Sequence, residues 1–106
     1  METIDTCAVK NVDYEERAAL LKVLSNPVRL QIVHGLLRQG CRNVGCMEKG
    51  TGMSQSCISQ HLQKLRSAGI VTSERSGNEV YYRAASEDAA VLLAALLGEE
   101  YESYVL

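Results

Sequence analysis

The chain lacks an apolar run long enough to cross a bilayer. Its longest, AAVLLAALL at 89 to 97, is about half of the roughly 20 residues a spanning helix requires. It also lacks the pattern of a secretory leader, because METIDTC opens acidic and polar with no basic start and no apolar stretch. The location expected from these two absences is the cytoplasm, with no membrane partner. A surplus of one charge is missing as well: the net charge is -2, which excludes a surface coated in basic groups for indiscriminate nucleic-acid binding. There is no internal repeat and no low-complexity tract.

What is present is ordinary for a globular protein. Hydrophobic residues make up 46% and charged residues 23% of the sequence, far from the low-hydrophobicity, high-charge regime of disorder. A length of 106 residues has room for one domain around one core. The four cysteines of a cytosolic chain stay reduced, so they read as core residues, metal ligands or redox switches rather than cross-links. Charge is unevenly spread. Residues 84 to 106 carry Glu87, Asp88, Glu99, Glu100 and Glu102 without Lys or Arg, whereas 54 to 83 carry Lys64, Arg66, Arg75 and Arg83 against Glu74 and Glu79. The middle of the chain can face phosphate; the C-terminal part cannot.

Residues 1 to 12 read as an N-terminal arm. Asp13 with Glu16 three residues on is a capping-box pattern that opens a first helix, with Ala18, Leu20, Leu21 and Leu24 as its apolar face. Asn26-Pro27 closes that helix and starts a second, because a cap residue precedes a proline whose fixed φ suits the first helical position. The second helix runs over 27 to 38, with Leu30, Ile32, Val33, Leu36 and Leu37 as its apolar stripe, and Gly40 is placed to end it in a left-handed conformation. Gly35 inside it costs about 1 kcal/mol relative to Ala and suggests close packing; His34 reads as a core histidine.

A short helix is expected around 44 to 49. Ser54 caps a clearer one over 54 to 66, in which Ile58, Leu62 and Leu65 form a buried seam and Gln55, Ser56, Ser59, Gln60 and Gln63 fill the other side. Residues 70 to 74 and 80 to 83 read as strands joined by a turn over 75 to 79, a β-hairpin. Ser86 begins a last helix, over 86 to 105, with Glu87 and Asp88 complementing its dipole and Leu92, Leu93, Leu96, Leu97, Tyr101 and Tyr104 along its apolar face. The fold class is thus mainly α with a small β-hairpin: four helices, the hairpin, then a fifth helix, in a single domain over 13 to 106.

The informative unit spans 43 to 83. A helix-turn-helix requires one helix to brace against the DNA backbone and a second whose outward side chains reach base edges in the major groove. Serine and glutamine donate and accept hydrogen bonds, and glutamine pairs in bidentate fashion with adenine N6 and N7. A merely solvated helix more often shows alternating Glu and Lys there. The exposed amides behind Ser54 form a helix N-terminus able to take a phosphate oxygen. Lys64, Arg75 and Arg83 supply salt-sensitive affinity, and the hairpin, with Arg75, Ser76 and Asn78, is the wing. His61 stands at i+4 from Cys57, a spacing that also suits two metal ligands; the preferred reading packs it beside the seam or places it on a phosphate.

LSNPVRLQIVHGLL, SQSCISQHLQKLRSAGIV and GNEVYYR together resemble the ArsR family of bacterial winged-helix repressors, over roughly residues 18 to 83. The resemblance implies a winged helix-turn-helix homodimer that binds double-stranded DNA at an imperfect palindrome and represses until an inducer releases it. Carried over by position, it implies DNA contacts at Ser54, Gln55, Ser56, Ser59, Gln60 and His61 and in the wing around Arg75 to Asn78. It also implies dimerisation through the first and last helices, over 13 to 24 and 86 to 105.

The family's sensory patterns do not carry over whole. There is no Cys-x-Cys before the recognition helix, no histidine in 84 to 106, and no cysteine in the last helix to pair with Cys41. Cys41 and Cys46 therefore stand as candidate sensors, with Cys7 from the arm able to complete a three-sulfur site. Thiolates bind soft metals and metalloids and are the nucleophiles for oxidation or persulfidation. Both a thiolate-bound metal or metalloid and redox sensing with no cofactor stay open, as does the reading of these cysteines, and of Cys57, as small packed residues. An interaction module for protein or RNA with no inducer is the competing function. A thiol enzyme is disfavoured, since neither histidine lies beside Cys41 or Cys46 in sequence.

Overall fold

The computed structural model describes residues 11–98. Five helices and three short strands follow in the order α1 (Tyr14–Leu24), α2 (Pro27–Gln39), β1 (Arg42–Asn43), α3 (Val44–Thr51), α4 (Gln55–Ser67), β2 (Val71–Ser76), β3 (Glu79–Ala84) and α5 (Glu87–Leu97). Local chemistry fixes most helix starts. Asp13 accepts from the Glu16 amide at 3.0 Å. Asn26 accepts from Val28 and Arg29 at 2.9 and 3.1 Å, Ser54 from Cys57 at 3.2 Å, and Ser86 from Ala89 at 3.1 Å. Each bond satisfies one of the amides a helix N-terminus leaves unpaired.

The ends hold some surprises. Gly40 takes a positive φ of 80°, but its ψ of -128° lies outside the left-handed helical region expected of it. The third helix extends to Thr51 rather than stopping near 49. The fifth ends at Leu97, where Gly98 adopts a left-handed conformation and its N–H bonds the Ala94 carbonyl; most of the expected stretch up to 105 lies outside the described residues. Tyr101 and Tyr104 lie outside the described residues, as does nearly all of the arm.

The hairpin is tighter than its sequence suggests. Ser76 pairs with Glu79, which leaves Gly77-Asn78 as a two-residue turn. Only Gly77 has positive φ, at 64°. Positive φ at the first central residue alone is the pattern of a type II′ turn, whose twist matches the flanking strands. A third strand, which the sequence does not announce, completes the sheet in the order β1-β3-β2. Arg42 pairs with Tyr82 and Asn43 with Tyr81. A strand of two residues has no periodicity to detect; pairing to the hairpin creates it.

One core joins these elements. Leu24 of α1, Ile32, Val33 and Leu36 of α2, Met47 of α3, Leu93 of α5 and the strand residues Val71 and Ala84 pack around the α4 seam. Ile58, Leu62 and Leu65 are at most 1% exposed, as the i, i+4, i+7 spacing requires. Gly35 has a packing reason: a Cβ there would meet Nη1 of Arg42 at 2.7 Å, and at Gly50 it would meet Nη2 at 3.4 Å. The guanidinium occupies the slot between α2 and α3 and donates to the Cys46 carbonyl at 2.9 Å. Among the described residues no helix is long and apolar enough to cross a membrane.

Candidate nucleic-acid interface

The buried seam of α4 decides what its other side does. With Ile58, Leu62 and Leu65 turned into the core, the helical period leaves Gln55, Ser56, Ser59, Gln60 and Gln63 exposed, along with Lys64 and Arg66. The outward surface is therefore a row of amides and hydroxyls ending in two cations, with no carboxylate in the helix. Ser54 is exposed and serves as the N-cap, so its oxygen is already an acceptor for the Cys57 amide. The hydroxyl hydrogen stays available to donate.

His61 is the exception among the sequence-predicted contacts. Its ring is half-buried, and Nδ1 accepts from Nε of Arg29 at 3.2 Å. Arg29 in turn donates through Nη1 to the Val23 carbonyl at 3.0 Å. Burial, then the positive charges of Arg29 and Lys64, hold the His61 imidazole below its ordinary pKa of 6.5. Through this bond the ring ties α4 to α2. Metal ligation with Cys57 would require the Nδ1 lone pair or a ring turned out of this bond.

The hairpin projects beyond α4 with Arg75, Ser76 and Asn78 exposed near its tip. Arg83 is exposed too, but the register separates it from them. Arg75 pairs with Val80 and Arg83 with Thr72, and side chains alternate along a strand, so the two arginines lie on opposite faces. Arg83 shares its face with Thr72, Glu74 and Tyr81 near the base of the hairpin. The tip is anchored inward: Asn43 accepts from the Cys46 amide at 2.9 Å and donates to the Glu79 carboxylate at 2.6 Å.

Sequence reasoning missed Arg29 and Lys22. They join Gln60, Gln63, Lys64 and Ser67 around one cleft beside the outward face of α4. Arg29 lies 32 residues from His61 in sequence, and its helical position in NPVRL carries no sign of the contact.

Cys41 and Cys46 are exposed free thiols and Cys57 is a half-buried one. Cys41 precedes β1 and Cys46 sits in the first turn of α3, so both flank the segment that leads into the helix-turn-helix. Cys7 lies outside the described residues. Among the described residues no group of three His, Cys, Asp or Glu side chains is placed to hold a metal ion.

Residues 26–73 match the family model described as bacterial regulatory protein, arsR family. The nodulation protein NolR of Rhizobium meliloti is 37% identical over 82% of this chain and 70% of its own length. Among solved structures, the transcriptional repressor BigR from Xylella fastidiosa superposes with a TM-score of 0.75 at 42% identity, over 79% of this chain and 85% of that one. NolR from Sinorhizobium fredii superposes with the same TM-score of 0.75 at 33% identity, over 92% and 95%. A helix-turn-helix with an outward polar helix, a paired wing and this degree of identity lead to one conclusion: the chain belongs to the ArsR family of bacterial regulatory proteins, as a winged helix-turn-helix transcriptional regulator and not an enzyme.

Proposed function

We propose that the protein is a homodimeric, sequence-specific DNA-binding repressor, released from its operator by an agent that acts on thiols. The carrying observation is the outward row Gln55, Ser56, Ser59, Gln60 and Gln63, exposed while the opposite side of the same helix is sealed in the core. Such side chains read base edges in the major groove, and Lys64 and Arg75 supply phosphate attraction beside them. The repressor relative from Xylella supports the direction of regulation.

Exposed apolar side chains support the dimer. Tyr14 and Leu21 on the first helix and Val91, Leu96 and Leu97 on the last are at least 41% exposed, and grouped exposed apolar residues mark interaction surfaces. A two-fold pair of recognition helices reads two half-sites about one DNA turn apart, hence an imperfect palindrome. The exposed thiols of Cys41 and Cys46 support the inducer reading. Modification or soft-metal binding there would bias an equilibrium between dimer geometries.

Selection of duplexes from a randomised library with the full chain, followed by footprinting, tests the central reading. A palindromic consensus is expected, and changing both Gln55 and Gln60 to Ala abolishes the footprint. Binding that ignores sequence, or that prefers RNA, would overturn it. Titrating the bound duplex with arsenite, cadmium, zinc, peroxide and persulfide tests the inducer: release by one agent, lost in Cys41→Ser or Cys46→Ser, is expected. Equal release in the parent and both variants would sink the thiol mechanism.

A further inference from the structure

We propose that the cleft between α1, α2 and the C-terminal half of α4 is a phosphate-binding site for the duplex backbone flanking the half-site. Three cations converge there from three elements, Lys22 of α1, Arg29 of α2 and Lys64 of α4, and no Asp or Glu lines the cleft. Among the described residues none of the three is held in an ion pair. The polar wall is equally one-sided, with Gln60, Gln63 and Ser67 offering N–H and O–H donors.

Preorganisation separates this cleft from a scatter of surface lysines. Arg29 is fixed at two points, through Nε to His61 and through Nη1 to the Val23 carbonyl. Its Nη2 group is left without a partner among the described residues. A guanidinium oriented in advance loses less entropy per bond formed to phosphate. Continuity supplies the direction: Gln60 and Gln63 belong both to the outward face of α4 and to the wall of the cleft. A duplex whose groove admits α4 therefore brings its strand past the mouth of the cleft.

The inference rests on the DNA-binding reading, and the experiment separates the two. Duplex affinity is measured by fluorescence anisotropy against salt concentration, using the duplex selected above, for the parent, Lys22→Gln, Lys22→Arg and Gln55→Ala. Lys22 is exposed, so its loss leaves the fold intact. Lys22→Gln is expected to weaken binding about threefold to tenfold and to make the slope of log K against log salt shallower by about one per protomer. Sequence preference should be unchanged, and Lys22→Arg should restore the slope.

An unchanged slope in Lys22→Gln, with preference lost in Gln55→Ala, overturns the cleft and leaves the recognition helix standing. Parental behaviour in both variants overturns the DNA reading itself. A parallel titration of the DNA-free protein with inorganic pyrophosphate, followed by amide shifts of Gln63 and Ser67, reads the other source of the same chemistry. Saturable shifts lost in Lys22→Gln, combined with an unchanged salt slope, would assign the cleft to a free anion and overturn the backbone source.

Discussion

Nε of Arg29 donates to Nδ1 of His61 across 3.2 Å, and this bond joins the N-terminal turn of α2 to the middle of α4. It exists only while Nδ1 carries a lone pair, so His61 must be neutral. Burial, Arg29 and Lys64 lower the native pKa below 6.5. The unfolded chain, with the ordinary value, therefore takes up the proton first as pH falls. Stability from this site is complete above about pH 6.5 and declines as pH drops through the native pKa. Urea midpoints measured between about pH 7.5 and about pH 5 should fall more steeply in the parent than in His61→Gln. The Cε1 proton of His61 should titrate below 6.5 by NMR, and Arg29→Ala should raise that midpoint.

The two faces of α4 should respond oppositely to truncation. Ile58 is 0% exposed, so Ile58→Ala removes transferred hydrocarbon and leaves a cavity, at about 2–5 kcal/mol. Gln55 is exposed, and its truncation should change stability by less than about 0.5 kcal/mol. Duplex discrimination should move the other way: Gln55→Ala loses about 1–3 kcal/mol at the base it reads. Urea unfolding and duplex titration on the same preparations check both.

Much of this helix was legible because its two signals agree. Ile58, Leu62 and Leu65 repeat at the helical period, Ser54 caps the start, and the polar residues have no competing explanation as core. The strand Arg42–Asn43 was not legible, since its structure comes from partners almost 40 residues away, Tyr82 and Tyr81. The same limit hid the link from Arg29 to His61, a residue the sequence left between packing beside the seam and contacting a phosphate. Arg83 was grouped with Arg75 on charge, whereas strand alternation places them on opposite faces. Periodicity reports which side of an element is buried; it does not report which distant side chain meets it.

Leu21 and Leu96 are 53% and 62% exposed, one on each of the two helices whose exposed apolar side chains support the proposed dimer. Replacing both with Glu should leave the fold of the single chain intact, because neither belongs to its core. Sedimentation equilibrium should show a dimer for the parent and a monomer for the double variant. Duplex affinity should fall by at least about 100-fold once the two half-sites bind independently.

Gly35→Ala sets two small effects against each other. The new Cβ would displace Nη1 of Arg42 from a 2.7 Å approach and break the guanidinium bond to the Cys46 carbonyl, a loss of about 0.5–1.5 kcal/mol. Helix propensity returns about 1 kcal/mol. Net stability should change by less than about 1 kcal/mol, while the amide resonances of Cys46 and Gly50 shift. A loss of several kcal/mol would mean that the Arg42 slot is rigid.

Glu79 stands one residue past the hairpin turn, where a carboxylate repels any polyanion that the wing approaches. Its tether to Asn43 fixes the direction of that repulsion. If the wing meets a duplex as proposed, it therefore has a permitted flank and a forbidden one, and an incoming strand would be steered to the side of Arg75, on the face opposite Glu79, before a single base is read.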